Sequence, residues 1–241
     1  MEPDELNDFA ALSSASPLER VGERSELVLT SDGSHTLFVP EIDECYHSTH
    51  GAIQESRHIF IEAALKQADK SVLNVLEVGF GTGLNALLTL VEAERSGKVI
   101  HYCTLEKYPV AVEKAFLLNY PAMIDARYKD VFEKMHSSVW NEKVAITPFF
   151  EIEKMECDFT DFEHTSTYDI VFFDAFSPEK QPEMWTQYQF EKIYAHCHPG
   201  AILTTYCAKG VVRRALQSAG FTVERLAGPP GKREILRAVK L

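Results

Sequence analysis

The chain has 241 residues, 45% hydrophobic and 25% charged, with a formal net charge of −12. That balance describes an ordinary globular protein with one sizeable core, and its sign argues against a protein that coats nucleic acid through bulk charge. No run reaches the ~18 apolar residues of a membrane span, and the acidic, polar start is not a signal peptide, so the expectation is a cytoplasmic protein without membrane contact. The five cysteines (Cys45, Cys103, Cys157, Cys197, Cys207) are scattered, odd in number and without C-x-x-C spacing. They read as reduced thiols. His47-x-x-His50 and His196-Cys197-His198 have no matching second pair nearby, so no metal site is expected.

Residues 1–24 are polar and suit a partly disordered tail. A β-hairpin follows, Glu26–Thr30 and His35–Val39 around Asp32-Gly33, then an irregular polar connection from Pro40 to Gly51. Ile53, Phe60, Ile61, Ala64 and Leu65 predict one helix over 52–68. The small N-terminal extension is thus 25–68, and the main domain 69–241. In that domain a strand at 73–78 runs into Gly79-Phe80-Gly81-Thr82-Gly83 and a helix near 84–95. Strand 99–105, a helix near 109–119, an irregular stretch with helical pieces at 121–140, and a strand starting at 144–152 and running to Glu156 come next. Strand 168–173, a helix near 183–197, a Pro199-Gly200 turn, strand 201–206 and a helix near 209–218 follow. Strands 221–226 and 234–240 close the chain as an antiparallel hairpin. The alternation predicts an α/β fold with a doubly wound, mostly parallel sheet.

The glycine run carries chemistry. Glycine lets the backbone turn sharply and come close to a ligand. The spacing is G-x-G-x-G, not the dinucleotide G-x-G-x-x-G, and no G-K-[ST] is present for a triphosphate. Glu77 beside it suits the cationic sulfonium and amino acid tail of S-adenosylmethionine, where a pyrophosphate would be repelled. Ligands of such sheets bind beyond the carboxyl ends of the strands. That rule collects Glu106 as acceptor for ribose hydroxyls, Asp158 as acceptor for an adenine amino group, and Asp174 at the fourth strand end. Taken singly, each acid reads equally well as a solvated loop residue or a helix cap.

Asp174-Ala-Phe-Ser-Pro178-Glu-Lys180-Gln-Pro182-Glu-Met-Trp185 resembles the methyltransferase domain of the tRNA 5-methylaminomethyl-2-thiouridine biosynthesis enzyme MnmC and its stand-alone relatives. Tyr46, Ser48 and Gln54–Phe60, the Glu77–Asn85 turn, Leu105–Pro109, Val212–Phe221 and Gly231–Glu234 extend the likeness over most of 37–241. The resemblance implies a Rossmann-like class I S-adenosylmethionine-dependent fold. It implies N-methylation of 5-aminomethyl-(2-thio)uridine at the wobble position of tRNA. Implied cofactor contacts are Glu77, Gly79, Gly81, Thr82, Gly83, Asn85, Glu106, Lys107 and Asp158, with Tyr46 and Glu55 closing over the amino acid end. Asp174 is the expected catalytic group, accepting a hydrogen bond from the amine. Phe176 and Pro178 are expected against the flipped uracil. Lys180, Lys209, Arg213, Lys232 and Arg233, with Arg214 and Arg237, are expected to meet phosphates of the anticodon stem-loop. The likeness stops before the flavin-dependent oxidase of the bifunctional enzymes, so no FAD reaction is expected, and a separate protein would supply or precede the aminomethyl group. Two rival readings stand beside it: a small-molecule amine transferase, such as a polyamine aminopropyltransferase or an amine N-methyltransferase, and a non-catalytic tRNA- or nucleotide-binding module.

Overall fold

The computed structural model describes residues 24–241. The polar tail, apart from Arg24, lies outside the described residues. An eight-stranded sheet spans the molecule: β4 (Val72–Val78), β5 (Val99–Glu106), β6 (Lys143–Thr147), β7 (Phe150–Glu156), β8 (Tyr168–Phe173), β9 (Cys197–Thr205), β10 (Thr222–Ala227) and β11 (Glu234–Val239). Its order is β10-β11-β9-β8-β4-β5-β7-β6. The five strands from β9 to β7 pair in parallel. All six residues of β8 are buried, as expected of a strand covered on both faces. The strand order reverses at β4, between β5 and β8, which puts the topological switch beside the glycine turn.

β11 runs antiparallel and lies between β9 and β10, so the terminal hairpin inserts one strand into the sheet and leaves β10 at the edge. The other edge is also antiparallel. The single strand expected from 144 is a hairpin, β6 and β7, joined through Pro148-Phe149. Proline cannot donate to a ladder, which breaks the run there. Pro199-Gly200 is not a free turn but part of β9, next to a register shift between β8 and β9.

Helices cover the sheet: α1 (Ala52–Ser56), α2 (Leu84–Ser96), α3 (Val112–Ala115), α4 (Tyr120–Ile124), α5 (Lys129–Ser137), α6 (Gln187–Ala195) and α7 (Gly210–Ser218). The helix expected over 52–68 is α1 followed by a π-helical stretch at Arg57–Glu62 and a 3-10 turn at Leu65–Gln67. The helix expected near 109–119 shrinks to α3, and the one near 183–197 is a 3-10 turn at Pro182–Trp185 followed by α6.

The N-terminal strands β1 (Glu26–Leu29), β2 (His35–Val39) and β3 (Glu44–Cys45) form a small antiparallel sheet of their own. They do not stand apart from the main domain. Leu37, Ala52, Ile59 and Phe60 share one continuous core with Leu73, Val75, Leu87 and Phe172. Phe60 packs its ring 5.1 Å from that of Phe172. Truncating such a buried ring costs about 3–5 kcal/mol, so the π-helical stretch is fixed to the sheet beneath it. This fixes the segment from Tyr46 to Glu62 over the carboxyl ends of the strands.

Candidate active site

A cleft of about 400 Å³ opens at the carboxyl ends of β4, β5, β7 and β8. Its volume suits a nucleoside-sized ligand. The floor is the glycine turn. Gly79 has φ +96°, and a Cβ there would stand 2.7 Å from the Asp174 carbonyl oxygen. Gly81 has φ +48°, and its Cβ would stand 2.7 Å from Tyr46 Cδ1. Both positions therefore need glycine for conformation and for space. A Cβ on Gly83 would meet His136 Nε2 at 2.6 Å. The turn is tied to β5 by N–H bonds from Gly79 and Phe80 to the Leu105 carbonyl, at 2.9 and 3.2 Å.

Glu106 is the last residue of β5, and its side chain clears the sheet edge. Gly81 N–H donates to its Oε2 at 3.0 Å, and Tyr108 N–H to its Oε1 at 2.9 Å. Each oxygen keeps a lone pair free for a further donor. Burial raises its pKa, against the lowering effect of those N–H groups. Asp158 also lines the cleft, but its oxygens are more committed. Oδ1 accepts from Thr160 N–H (2.8 Å) and hydroxyl (2.7 Å), and Oδ2 from Lys107 Nζ (2.7 Å). Burial opposes ionisation of Asp158, yet these donors together hold its carboxyl below its usual range.

Asp174 follows β8 at the opposite side of the switch. Asn85 Nδ2 donates to its Oδ2 at 2.8 Å. Burial pushes Asp174 up to about 7; Asn85 and Lys232 pull it down and Glu55 pushes it further up. The loop after it is pinned at Ala175, Phe176 and Ser177. Tyr206 donates to Ala175 O (2.9 Å), Trp185 Nε1 to Phe176 O (2.8 Å), and Phe176 N–H to Gln181 Oε1 (3.1 Å). Ser177 donates from its N–H and its hydroxyl to the Glu44 carboxylate of β3, at 3.1 and 2.9 Å. Phe176 faces Tyr46 with ring centroids 5.1 Å apart. These two rings wall the cleft above the glycine turn.

Behind Thr82 lies a buried polar cluster. His47 Nε2 is 2.7 Å from Thr82 Oγ1, and the Tyr120 hydroxyl donates to the same oxygen at 3.2 Å. Burial lowers His47 to about 4, so its ring is neutral at physiological pH. This arrangement holds the glycine turn from the N-terminal side.

Several expected contacts take other places. Glu77 is fully buried and does not line the cleft. It belongs to β4 itself, one residue before the strand ends, so its side chain points into the core and Thr104 Oγ1 donates to its Oε2 at 2.6 Å. Its carboxyl thus faces Thr104 and not the cleft. Gly83 and Asn85 also lie behind the wall, Asn85 reaching the cleft only through Asp174. Lys232 turns inward rather than out. Its Nζ is 3.3 Å from Glu55 Oε1 and 4.7 Å above the Tyr206 ring. Glu55 is 7% exposed, and its Oε2 accepts from Ser48 N–H at 2.7 Å. Lys209 is paired with Glu179, Arg213 is half-buried on α7, and Arg237 pairs with Glu224 at 2.6 Å. None of Pro178, Lys180, Lys209, Arg213 and Arg233 lines the cleft; Lys180 and Arg233 are exposed beside residues that do. Sequence reasoning passed over Glu44, Gln181 and Tyr206, and weighed His47 only as a metal ligand. Tyr206 was open to discovery, because it follows β9 as Asp174 follows β8.

A parallel sheet reversed at β4, a glycine turn at the switch, and a carboxylate anchored at the end of the next strand define a nucleoside-binding α/β cleft of the methyltransferase type. A family model described as S-adenosyl-L-methionine-dependent methyltransferase matches residues 111–241, which include Asp158, Asp174 and the pinned loop. The chain belongs to that family. It is 31% identical over 216 residues to the tRNA 5-methylaminomethyl-2-thiouridine biosynthesis bifunctional protein MnmC of Marinomonas sp. (strain MWYL1), covering 81% of this chain and 31% of that protein. It is 30% identical over 235 residues to the protein of the same name from Cupriavidus metallidurans, covering 90% and 34%. The chain thus spans about a third of the length of these curated relatives. Among solved structures, MnmC2 from Aquifex aeolicus superposes with a TM-score of 0.73 at 25% identity, covering 99% of this chain and 78% of that one. Spermidine synthase from Thermotoga maritima gives 0.53 at 8% identity, over 90% of this chain and 72% of that one, a likeness of fold alone. No helix among the described residues is long and apolar enough to cross a membrane, and no group of three or more His, Cys, Asp or Glu residues among them is placed to hold a metal ion.

Proposed function

We propose that the chain transfers a methyl group from S-adenosylmethionine to the primary amine of 5-aminomethyl-(2-thio)uridine at the wobble position of tRNA, giving the methylaminomethyl form. The observation that carries this reading is Asp174: a carboxyl held near neutrality, on a rigid loop, at the mouth of the cofactor-type cleft. The naming of the MnmC relatives for tRNA 5-methylaminomethyl-2-thiouridine biosynthesis supports the substrate. The fold likeness to spermidine synthase, at 8% identity, lends no weight to an aminopropyl transfer.

The residues fit the cofactor. Free lone pairs on Glu106 suit the ribose hydroxyls, and the Tyr46–Phe176 wall suits the amino acid end and the approach of an acceptor. When bound, S-adenosylmethionine supplies a methyl group on a positively charged sulfur, open to in-line attack by a neutral amine. Asp174 accepts the proton that an alkylammonium must lose, and orients the lone pair toward the cleft. A carboxyl near 7 is matched to that task at cellular pH. Phe176 offers a face for an extruded uracil, and the hydrogen bonds to its backbone keep that face fixed. Lys180 and Arg233 meet anticodon-stem phosphates at the rim, while Lys232 acts inside the cleft. On this reading the protein works in the cytoplasm, where its tRNA is.

Incubation with labelled S-adenosylmethionine and tRNA lacking the methyl group, followed by nucleoside analysis, tests the reading. Label in 5-methylaminomethyl-(2-thio)uridine is the expected result. Label on a free polyamine or small amine, with none on tRNA, overturns it. Tight binding of tRNA without transfer would favour a binding module instead.

A further inference from the structure

Three buried polar atoms beneath the glycine turn have no hydrogen-bond partner: Glu77 Oε1, Asn85 Oδ1 and the Tyr102 hydroxyl. They belong to one cluster, since Asn85 and Tyr102 both act on the Glu77 carboxyl. Unpaired buried polar atoms are costly because nothing replaces the water they lose, and three in one cluster is unusual. Proton placement supplies one. An ionised carboxylate and an amide oxygen are both acceptors only. If Glu77 is ionised, Tyr102 can donate to it, but Asn85 Oδ1 stays unpaired. Turning the amide over satisfies it only if the proton sits on Asp174, which would then donate instead of accept; in the orientation seen, Nδ2 faces Asp174 Oδ2. A single proton on Glu77 Oε1 removes all three defects. Glu77 then donates to Asn85 Oδ1 and still accepts from Tyr102, while Asn85 Nδ2 keeps its 2.8 Å bond to Asp174.

We propose that Glu77 is a protonated positioning residue, whose O–H fixes the Asn85 amide so that Asn85 donates to Asp174 and keeps Asp174 an open acceptor for the substrate amine. The catalytic part of this inference rests on the methyl-transfer reading above; the proton on Glu77 does not. The groups facing Glu77 are Thr104 of β5, Asn85 of α2, Tyr102 of β5 and, across the sheet, Asp174 after β8. None is cationic. Burial raises Glu77 to about 8, and the nearby Asp174 charge adds to that rise. Two neighbouring carboxyls sharing about one proton near neutrality is the outcome expected of a close acidic pair. Here the amide orientation assigns the proton to the inner carboxyl, leaving the outer one for chemistry. Asp174 in turn faces Glu55 and Lys232 from the other side of the cleft.

The test has two arms. Infrared difference spectra of the free protein at pH 7, wild type against E77Q and with ¹³C-labelled glutamate, should show one protonated glutamic acid carbonyl that E77Q lacks. This arm involves no tRNA, so it stands or falls apart from the substrate assignment. In the kinetic arm, E77L should lower kcat by about 10–100-fold and move the acid limb of its pH profile upward, with KM for S-adenosylmethionine within threefold. E77Q, which keeps a donor but no charge, should restore most of that loss. Absence of the protonated carbonyl overturns the proposal. So does an E77Q enzyme with a tenfold higher KM for S-adenosylmethionine, since that would show a negative charge acting on the cofactor. If E77L does not fold, E77Q in both arms still decides.

Discussion

Gly81→Ala is the sharpest probe of how the cleft floor is built. The backbone there has φ +48°, and an added Cβ would lie 2.7 and 2.9 Å from Tyr46 Cδ1 and Cε1. The left-handed conformation costs alanine about 1 kcal/mol. Forcing the Tyr46 ring aside adds about 1–3 kcal/mol, the usual range for overpacking. The sum, about 2–4 kcal/mol, corresponds to a fall in Tm of roughly 4–8 °C for a chain of this size. Tyr46→Ala removes the ring and leaves only the conformational cost. In that background Gly81→Ala should cost about 1 kcal/mol, so a double-mutant cycle by chemical denaturation should give a coupling of about 1–3 kcal/mol. An equal cost in both backgrounds would refute the reasoning, and would mean that the glycine serves the approach of a ligand rather than the seat of Tyr46.

Four further outcomes follow from the charges in the cleft. With Asp174 near 7, kcat/KM should climb about tenfold per pH unit below that value and level off above it, and Asp174→Asn should lose about 10²–10⁴-fold in turnover while calorimetry finds cofactor affinity within threefold. The same carboxyl is raised above its unfolded value, so the folded state binds more protons between roughly pH 4 and 7 and loses stability as pH rises through that window. Thermal melts should therefore show Asp174→Asn gaining on the wild type at pH 8 relative to pH 4; a gain that shrinks instead would contradict the sign. Lys232→Met should move the acid limb toward alkaline pH and Glu55→Gln toward acid pH, because the first cation lowers Asp174 and the second carboxylate raises it; shifts in the same direction would exclude this electrostatic account. Glu106→Gln should weaken S-adenosylmethionine binding by about tenfold or more, measured by calorimetry, since one oxygen no longer accepts.

The sheet was legible because its parallel strands are apolar runs punctuated by glycine, proline and acids, and the strand-end rule picks out Glu106 and Asp174 directly. The same rule misplaced Glu77. Two residues of sequence separate a side chain that leaves the sheet from one that enters the core, and composition does not record which residue is last in a strand. The β6–β7 hairpin was hidden by parity: Val144, Ile146, Phe150 and Ile152 keep one alternation straight through the turn, with Pro148 the sole break. The π-helical stretch at Arg57–Glu62 was hidden because its apolar residues fit an ordinary helix equally well. Lys232 was grouped with the outward basic residues because nothing local says that its partner is Glu55, from the opposite end of the chain.

The place of β11 between β9 and β10 bears on how the protein is made. During synthesis the chain emerges from its N-terminal end, so β9 is available long before the strand that must pair with it, and β10 appears with no neighbour at all. The turn that carries Lys232 into the cleft joins these two late strands. A nascent chain lacking residues beyond about 230 therefore holds the glycine turn, Glu106 and Asp174 but an unfinished sheet and an unfinished cleft. The cleft is complete only with β11 in the gap between β9 and β10, so on the function proposed a chain cut before β11 should not take up its ligands.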